Sequence, residues 1–316
     1  MITKNEFDKD RRECENPTHI EDNITDPTLK KIDELYGAAD VLSIKHGDEH
    51  HNKIRNISIV APLIVFSFLL YEAAGQHWLI FVVLGLVLLL YYIYKNPKED
   101  RNHQKYLEYR VLAESLRVQY FMAKAGLKKR AIDILPWFTY IRIPLVKEVL
   151  SNLPEVDDVE EKPILDCWIR DQMKYHDKAH EKALKRMERN ERYEMISLIA
   201  TLIFYAVALV FEIIMLMYNP LDAESSHWIR AFLRIGVGTA TVITIFLSNY
   251  YGKMSLSSKV EEHLRMYWQY QKIEREIIHT KEENKERITY LAEQCLIENT
   301  IWYSHQKKNT PDFALE

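Results

Sequence analysis

The chain has 316 residues, 28% of them charged, and a formal net charge of −4. That mild acidity, with no dominant basic stripe, excludes the signature of a nucleic-acid binder. Mean hydropathy is −0.27, as in a soluble protein, but the apolar residues are bunched; 8 glycines and 10 prolines against 19 tyrosines suit long helices and interfacial aromatics rather than turn-rich β structure.

The first thirty residues read as a polar N-terminal tail. "MITKNEFDKDRRECEN" has no apolar core and no small-residue cleavage site, so no signal peptide is expected. Residues 31–96 read as a juxtamembrane helix followed by a first membrane hairpin. Its two spans are Asn56–Ala73, "NISIVAPLIVFSFLLYEA", and His77–Tyr94, "HWLIFVVLGLVLLLYYIY". Both are slightly short of the ~20 residues that cross ~30 Å of hydrocarbon. Trp78, Tyr91, Tyr92 and Tyr94 bracket the second like an aromatic belt. Pro62 interrupts the first and is a candidate hinge, or simply a tolerated bend.

Residues 97–194 read as a cytoplasmic helical region. Tyr109, Leu112, Ala113, Leu116, Tyr120, Ala123 and Leu127 recur at spacings of three and four, which makes one apolar helix face. Glu108, Arg110, Glu114 and Arg117 fall largely outside that stripe, and Glu114 with Arg117 forms a possible i,i+3 pair. Tyr109, Arg110, Glu114 and Arg117 therefore mark a cytoplasmic coupling helix, expected to continue inward from the second span. A return helix, with Pro163 near its first turn, runs through "WIRDQMKYHDKAHEKALKRMERNERYE" into the third span. Between them, Pro136, Pro144 and Pro154 predict loops or short helices.

Residues 195–250 read as a second membrane hairpin, with spans Met195–Tyr218 and Ile229–Tyr250. Residues 251–316 read as a C-terminal cytoplasmic helical hairpin turning near Lys281–Lys285. The loops Ala74–Gln76 and Asn219–Trp228 contain no Lys or Arg, whereas the remaining connections are rich in them. By the positive-inside rule both hairpin tips face outward and both termini lie in the cytoplasm. The expected fold class is thus an all-α membrane protein of four transmembrane helices in two hairpins, with long amphipathic helices extending into the cytoplasm.

Reflecting the second hairpin about residue 223 places Glu212 and Arg234 at similar depth, as an intramembrane charge pair or as pore lining. Arg230 reads as a residue snorkelling to the headgroups. Gly236, Ala240, Thr244 and Ser248 form a small-residue helix-packing face, open to a neighbour within the chain or to a homo-oligomer.

The three cysteines, Cys14, Cys167 and Cys295, are far apart, which points to a reducing compartment rather than a disulfide framework. His46 with His50, and His176 with His180, have i,i+4 spacing but no HExxH order, and read as solvated helix faces rather than metal ligands. No GxxxxGK[ST], GxGxxG or GxSxG occurs, so neither catalysis nor a cofactor is expected. The acidic run Glu155–Lys162 reads as a solvated loop.

Four stretches, "LYGAADVLSIKHGDEHHNKIRNIS", "YLEYRVLAESLRVQYF", "WIRDQMKYH" and "LAEQCLIENTIWYSHQKKNTPDF", occur in an order that resembles the membrane module found behind SLOG domains in bacterial conflict systems. That module is related to the SMODS and SLOG-associating two-transmembrane (SLATT) effectors. The likeness covers roughly Asp26 to Phe313 and lacks the N-terminal α/β sensor of the fused architecture. The resemblance implies an antiphage effector of the bacterial inner membrane that oligomerises and permeabilises or depolarises it. It also implies a separate sensor or signal-generating partner, a protein or nucleotide signal, and no nucleic acid. A constitutive small ion channel or membrane scaffold is the alternative.

Overall fold

A computed structural model describes residues 1–95, 97–156, 159–218, 221–253, 256–280 and 284–308. Among them every regular element is helical, and no strand forms. In chain order the helices are α1 (Lys4–Arg12), α2 (Pro27–Ala74), α3 (Leu79–Lys95), α4 (Pro97–Lys124), α5 (Trp137–Arg142), α6 (Pro144–Ser151), α7 (Asp171–Tyr218), α8 (Ala223–Lys253), α9 (Leu256–Thr280) and α10 (Lys285–Lys308). A 3₁₀ turn, Ala131–Ile134, precedes α5, and a π turn, Leu165–Arg170, leads into α7. The turn expected near Lys281–Lys285 and the centre of the acidic run, at 157–158, lie outside the described residues.

Local chemistry sets the boundaries. Asp26 caps α2: its Oδ1 accepts from the Thr28 and Leu29 amides at 2.8 and 2.9 Å, and Pro27 occupies the first helical position. Asp222 caps α8 by accepting from the Ser225 amide at 3.1 Å. Asn284 caps α10 by accepting from the Glu286 amide at 2.8 Å. The end of α4 is a Schellman turn. Gly126 sits at φ 67°, its amide reaches the Ala123 carbonyl, and the Leu127 amide reaches the Met122 carbonyl.

The chain divides into two compact units, each composed of separated stretches. The first, the polar unit, comprises Met1–His50, Lys98–Leu184 and Ser257–Glu316; the second, the apolar unit, comprises His51–Pro97 and Lys185–Leu256. Each unit thus draws on several of the five segments expected from the sequence.

In the polar unit α4 is the central helix. The whole expected stripe from Tyr109 to Leu127 is buried, and so are Glu108, Val111, Ser115, Val118 and Gln119 on the other sides. Glu108 accepts from the Ile2 amide at 2.9 Å and from Gln104 Nε2 at 2.7 Å. Gln119 Oε1 accepts from the Ala131 amide at 2.8 Å. These bonds give the buried Glu108 carboxylate and the Gln119 carbonyl oxygen partners, without which they would be expensive to bury. Phe121 stacks on Trp168 at 5.1 Å between ring centroids. Tyr270, beneath, donates to or accepts from Cys295 Sγ at 3.1 Å.

The expected N-terminal tail is folded structure instead. Thr3 caps α1, accepting from the Glu6 amide at 3.3 Å. Ile2 and Phe7 are buried, the latter 5.5 Å from the Tyr109 ring. Lys105 reaches Asp10 at 2.6 Å, and the Tyr109 hydroxyl donates to Asp10 at 2.7 Å. Burial alone would raise the Asp10 carboxyl, but the Lys105 and Tyr109 hydrogen bonds hold it below its ordinary value. The histidines read as solvated are also enclosed: His46 and His50 are buried, and His50 stacks on His103 at 4.1 Å.

In the apolar unit the pattern inverts. Phe81, Tyr92, Leu202, Leu209, Leu216 and Phe232 are exposed, Leu216 by 84%. Three helices, α2, α7 and α8, are long and apolar enough to cross a membrane, whereas α3 has only 17 residues. α3 is described to Lys95 and α4 from Pro97, so the expected continuation of the second span into the coupling helix falls on residue 96, outside the described residues. α2 and α7 are each 48 residues long. α2 runs through Pro62 as a single helix.

Candidate functional site

Within the polar unit, α2, α4, α7, α9 and α10 enclose a cavity of about 330 Å³. Its walls carry Arg110, Glu114 and Arg117 from α4, His176 from α7, Lys259, Glu262 and His263 from α9, and Glu298 from α10, with Tyr106, Tyr175 and Trp302 as aromatic surface. Three of the four coupling-helix residues thus line one cavity. Tyr109 points away from it, into the contact with α1.

Helical spacing builds the charge ladder. Glu114 receives Arg110 from i−4, at 2.5 Å, and Arg117 from i+3, so the expected Glu114–Arg117 pair forms within a larger network. Arg110 also donates to Asp40 Oδ1 at 3.1 Å, and Asp40 accepts from the Thr18 hydroxyl at 3.0 Å. These bonds fix the two guanidinium groups in the cavity wall.

The facing histidines are uncharged at neutral pH. His176 Nδ1 lies 3.2 Å from His263 Nδ1, so one ring donates a proton that the other accepts. Burial, then His263 and the Arg117 and Arg110 charges, push His176 down to about 3. Burial, with Lys259 and His180, also lowers His263. His180, one turn along α7, contacts the Val260 carbonyl at 3.0 Å. Opposite, burial together with Glu114 and Glu262 pushes the Glu298 carboxyl up to about 7. Burial likewise raises Glu262. The cavity therefore combines fixed cations with one carboxyl, Glu298, that exchanges its proton near neutrality. Such a wall suits a small polar molecule bearing both donors and acceptors. Among the described residues no three His, Cys, Asp or Glu side chains gather to hold a metal ion.

Asp40, Glu262, His263 and Glu298 escaped the sequence reading. Glu298 and Asn299 do leave a trace: they fall where the buried series Leu291, Ala292, Cys295, Leu296 and Tyr303 of α10 should continue.

The apolar unit carries its own polar groups. Glu212 and Arg234 do not pair with each other. Glu212 receives two hydrogen bonds from Arg230, at 2.8 and 3.1 Å, and Arg234 donates to Glu72 of α2 at 2.5 Å. Arg230 lies one helical turn nearer the Asp222 cap of α8 than Arg234 does, and it is Arg230 that meets Glu212. Arg230, expected to snorkel, is an ion-pair partner.

The small face of α8 packs within the chain. A Cβ on Gly236 would lie 2.5 Å from the Phe204 ring, and Thr244 shares hydrogen bonds with Ser197 at 2.7 Å and Thr201 at 3.1 Å, all on α7. Ala240 is partly covered and Ser248 is exposed. Gly238, off this stripe, admits Leu69 of α2. Comparisons of the chain with protein-family models, with curated proteins and with solved structures give no match.

Proposed function

We propose that the protein is a membrane effector of a bacterial conflict system. In this reading α3 is a fourth, short span, the two hairpins sit in the inner membrane, and the polar unit and both termini face the cytoplasm. A separate partner protein or a nucleotide signal acts on the polar unit. The chains then assemble and permeabilise or depolarise the membrane. The Lys and Arg bias of the connections supports the orientation, and the resemblance to SLATT-like modules supports the role.

The observation that carries the proposal is the polar content of membrane-length helices. A plain anchor needs no charge in hydrocarbon, yet α2, α7 and α8 bear two ion pairs and a Ser197–Thr244–Thr201 hydroxyl cluster. Charges there mark pairing sites or water-lined paths. A trigger must bind the conducting arrangement better than the silent one in order to shift the balance between them. The test is induced expression in bacteria loaded with a voltage-sensitive dye, with and without candidate signal-generating partners. Rapid depolarisation that is lost in the Glu72→Gln/Arg234→Gln double variant supports the effector. Normal potential and growth under every trigger supports a constitutive channel or scaffold.

A further inference from the structure

The same four charges point to what covers this part of the protein. Glu212 lies six residues before Tyr218, and Arg234 six residues after Trp228. At ~1.5 Å per residue, each is roughly 9 Å inward of its aromatic residue. Tyr218 and Trp228 are exposed by 73% and 53%, as interfacial aromatics are. Both pairs are satisfied within one chain but are not enclosed by it. Side-chain exposure is 42% and 47% for Arg230 and Glu212, and 58% and 49% for Arg234 and Glu72. Hydrocarbon offers no dipoles to a half-open ion pair, so lipid is a poor cover for this face.

We propose that a second copy of this chain covers it. The face is self-complementary, because each pair presents one carboxylate and one guanidinium. A two-fold related copy can set Arg230 or Arg234 against Glu212 or Glu72 of its neighbour, the isologous arrangement of most homodimers. The surrounding surface is apolar and open, so packing continues around the charges. On α7 successive residues turn by about 100°, which puts Leu209 within about 60° of Glu212 and Ile203 about 180° away. Both are exposed, by 63% and 57%, so exposure alone does not distinguish them. The small-residue stripe of α8 is already used against α7 at Gly236 and Thr244 and is not this surface.

The interface rests on the membrane reading above, and one experiment separates the two. Leu209→Cys and Ile203→Cys are expressed in the full chain, membranes are isolated, and copper phenanthroline oxidises neighbouring thiols. The parent chain, with its native cysteines, gives the baseline. The interface predicts a covalent dimer at Leu209→Cys at least fivefold above both Ile203→Cys and the parent. Adding Glu212→Gln/Arg230→Gln should lower that yield severalfold. Equal yields at the two positions, or none at Leu209→Cys, in a membrane-bound chain overturn the interface alone. Recovery of the chain in the soluble fraction overturns the membrane reading with it.

Discussion

The polar and apolar units are both helical, yet they spend their side chains in opposite ways. In the polar unit Tyr109, Tyr120, Trp168 and Tyr270 are fully buried, while Trp137 and Trp268 stay exposed. In the apolar unit Phe81, Tyr92 and Leu216 lie outside, while glycines and hydroxyls occupy the contacts between helices. Water drives apolar groups inward in the first case. In lipid that drive is absent, and close backbone approach and hydrogen bonds hold helices together. One chain thus follows two packing rules.

The sharpest way to break this contrast is to truncate one aromatic in each unit. Trp168→Ala removes a fully buried ring from between Phe121 and Tyr270 and should cost about 3–5 kcal/mol. Phe81→Ala, at 73% exposure, should stay within about 0.5 kcal/mol in detergent, as surface changes do. Protease-coupled unfolding of the purified protein measures both. A large loss at Phe81 would show that it is packed within the chain.

Glycines reverse the order of the units. Gly236→Val places atoms against Phe204, and Gly238→Val places them against Leu69; each should destabilise the apolar unit by about 1–3 kcal/mol. Gly85 has nothing within 4 Å, so Gly85→Ala should be neutral or stabilise α3 by up to about 1 kcal/mol. Thermal melts in detergent distinguish these outcomes.

The smallest effect is the pH dependence of the cavity. Glu298 titrates near 7 in the folded protein against an ordinary 4.5. The folded state therefore holds its proton longer, and stability from this group is full below 4.5 and is lost as pH rises through 7. His176 is shifted the other way, to about 3 from 6.5, so its stability is present above 6.5 and is lost as pH falls toward 3. Glu298→Gln should flatten the decline between pH 5 and 8, and His176→Asn should soften the acid loss. Denaturant titrations from pH 3 to 8 test both; a Glu298→Gln profile parallel to the parent contradicts the cavity's electrostatics.

Periodicity made the α4 stripe and the apolar helices legible, because both are one-dimensional patterns. Burial on every side of α4 was not, since the Ile2 and Ala131 amides that bond Glu108 and the Gln119 carbonyl oxygen reach it from other parts of the chain. The Glu72–Arg234 pair was hidden for the same reason, as it joins α2 to α8. The Glu212–Arg230 pair was missed by four residues because only the Asp222 cap fixes where the hairpin turns. α1 was readable in principle. Thr3 and Glu6 have capping-box spacing, but among so many charges the two anchors Ile2 and Phe7 make no visible stripe.

The central claim is the partition of the chain between lipid and a single aqueous side. Its direct test is labelling of single cysteines in intact bacteria with a membrane-impermeant maleimide. Ser225→Cys, beside the second hairpin tip, should react from outside, while Lys128→Cys, in the polar unit, should react only after lysis. Labelling of Lys128→Cys in intact cells, or a chain that stays in solution without detergent, would contradict the account.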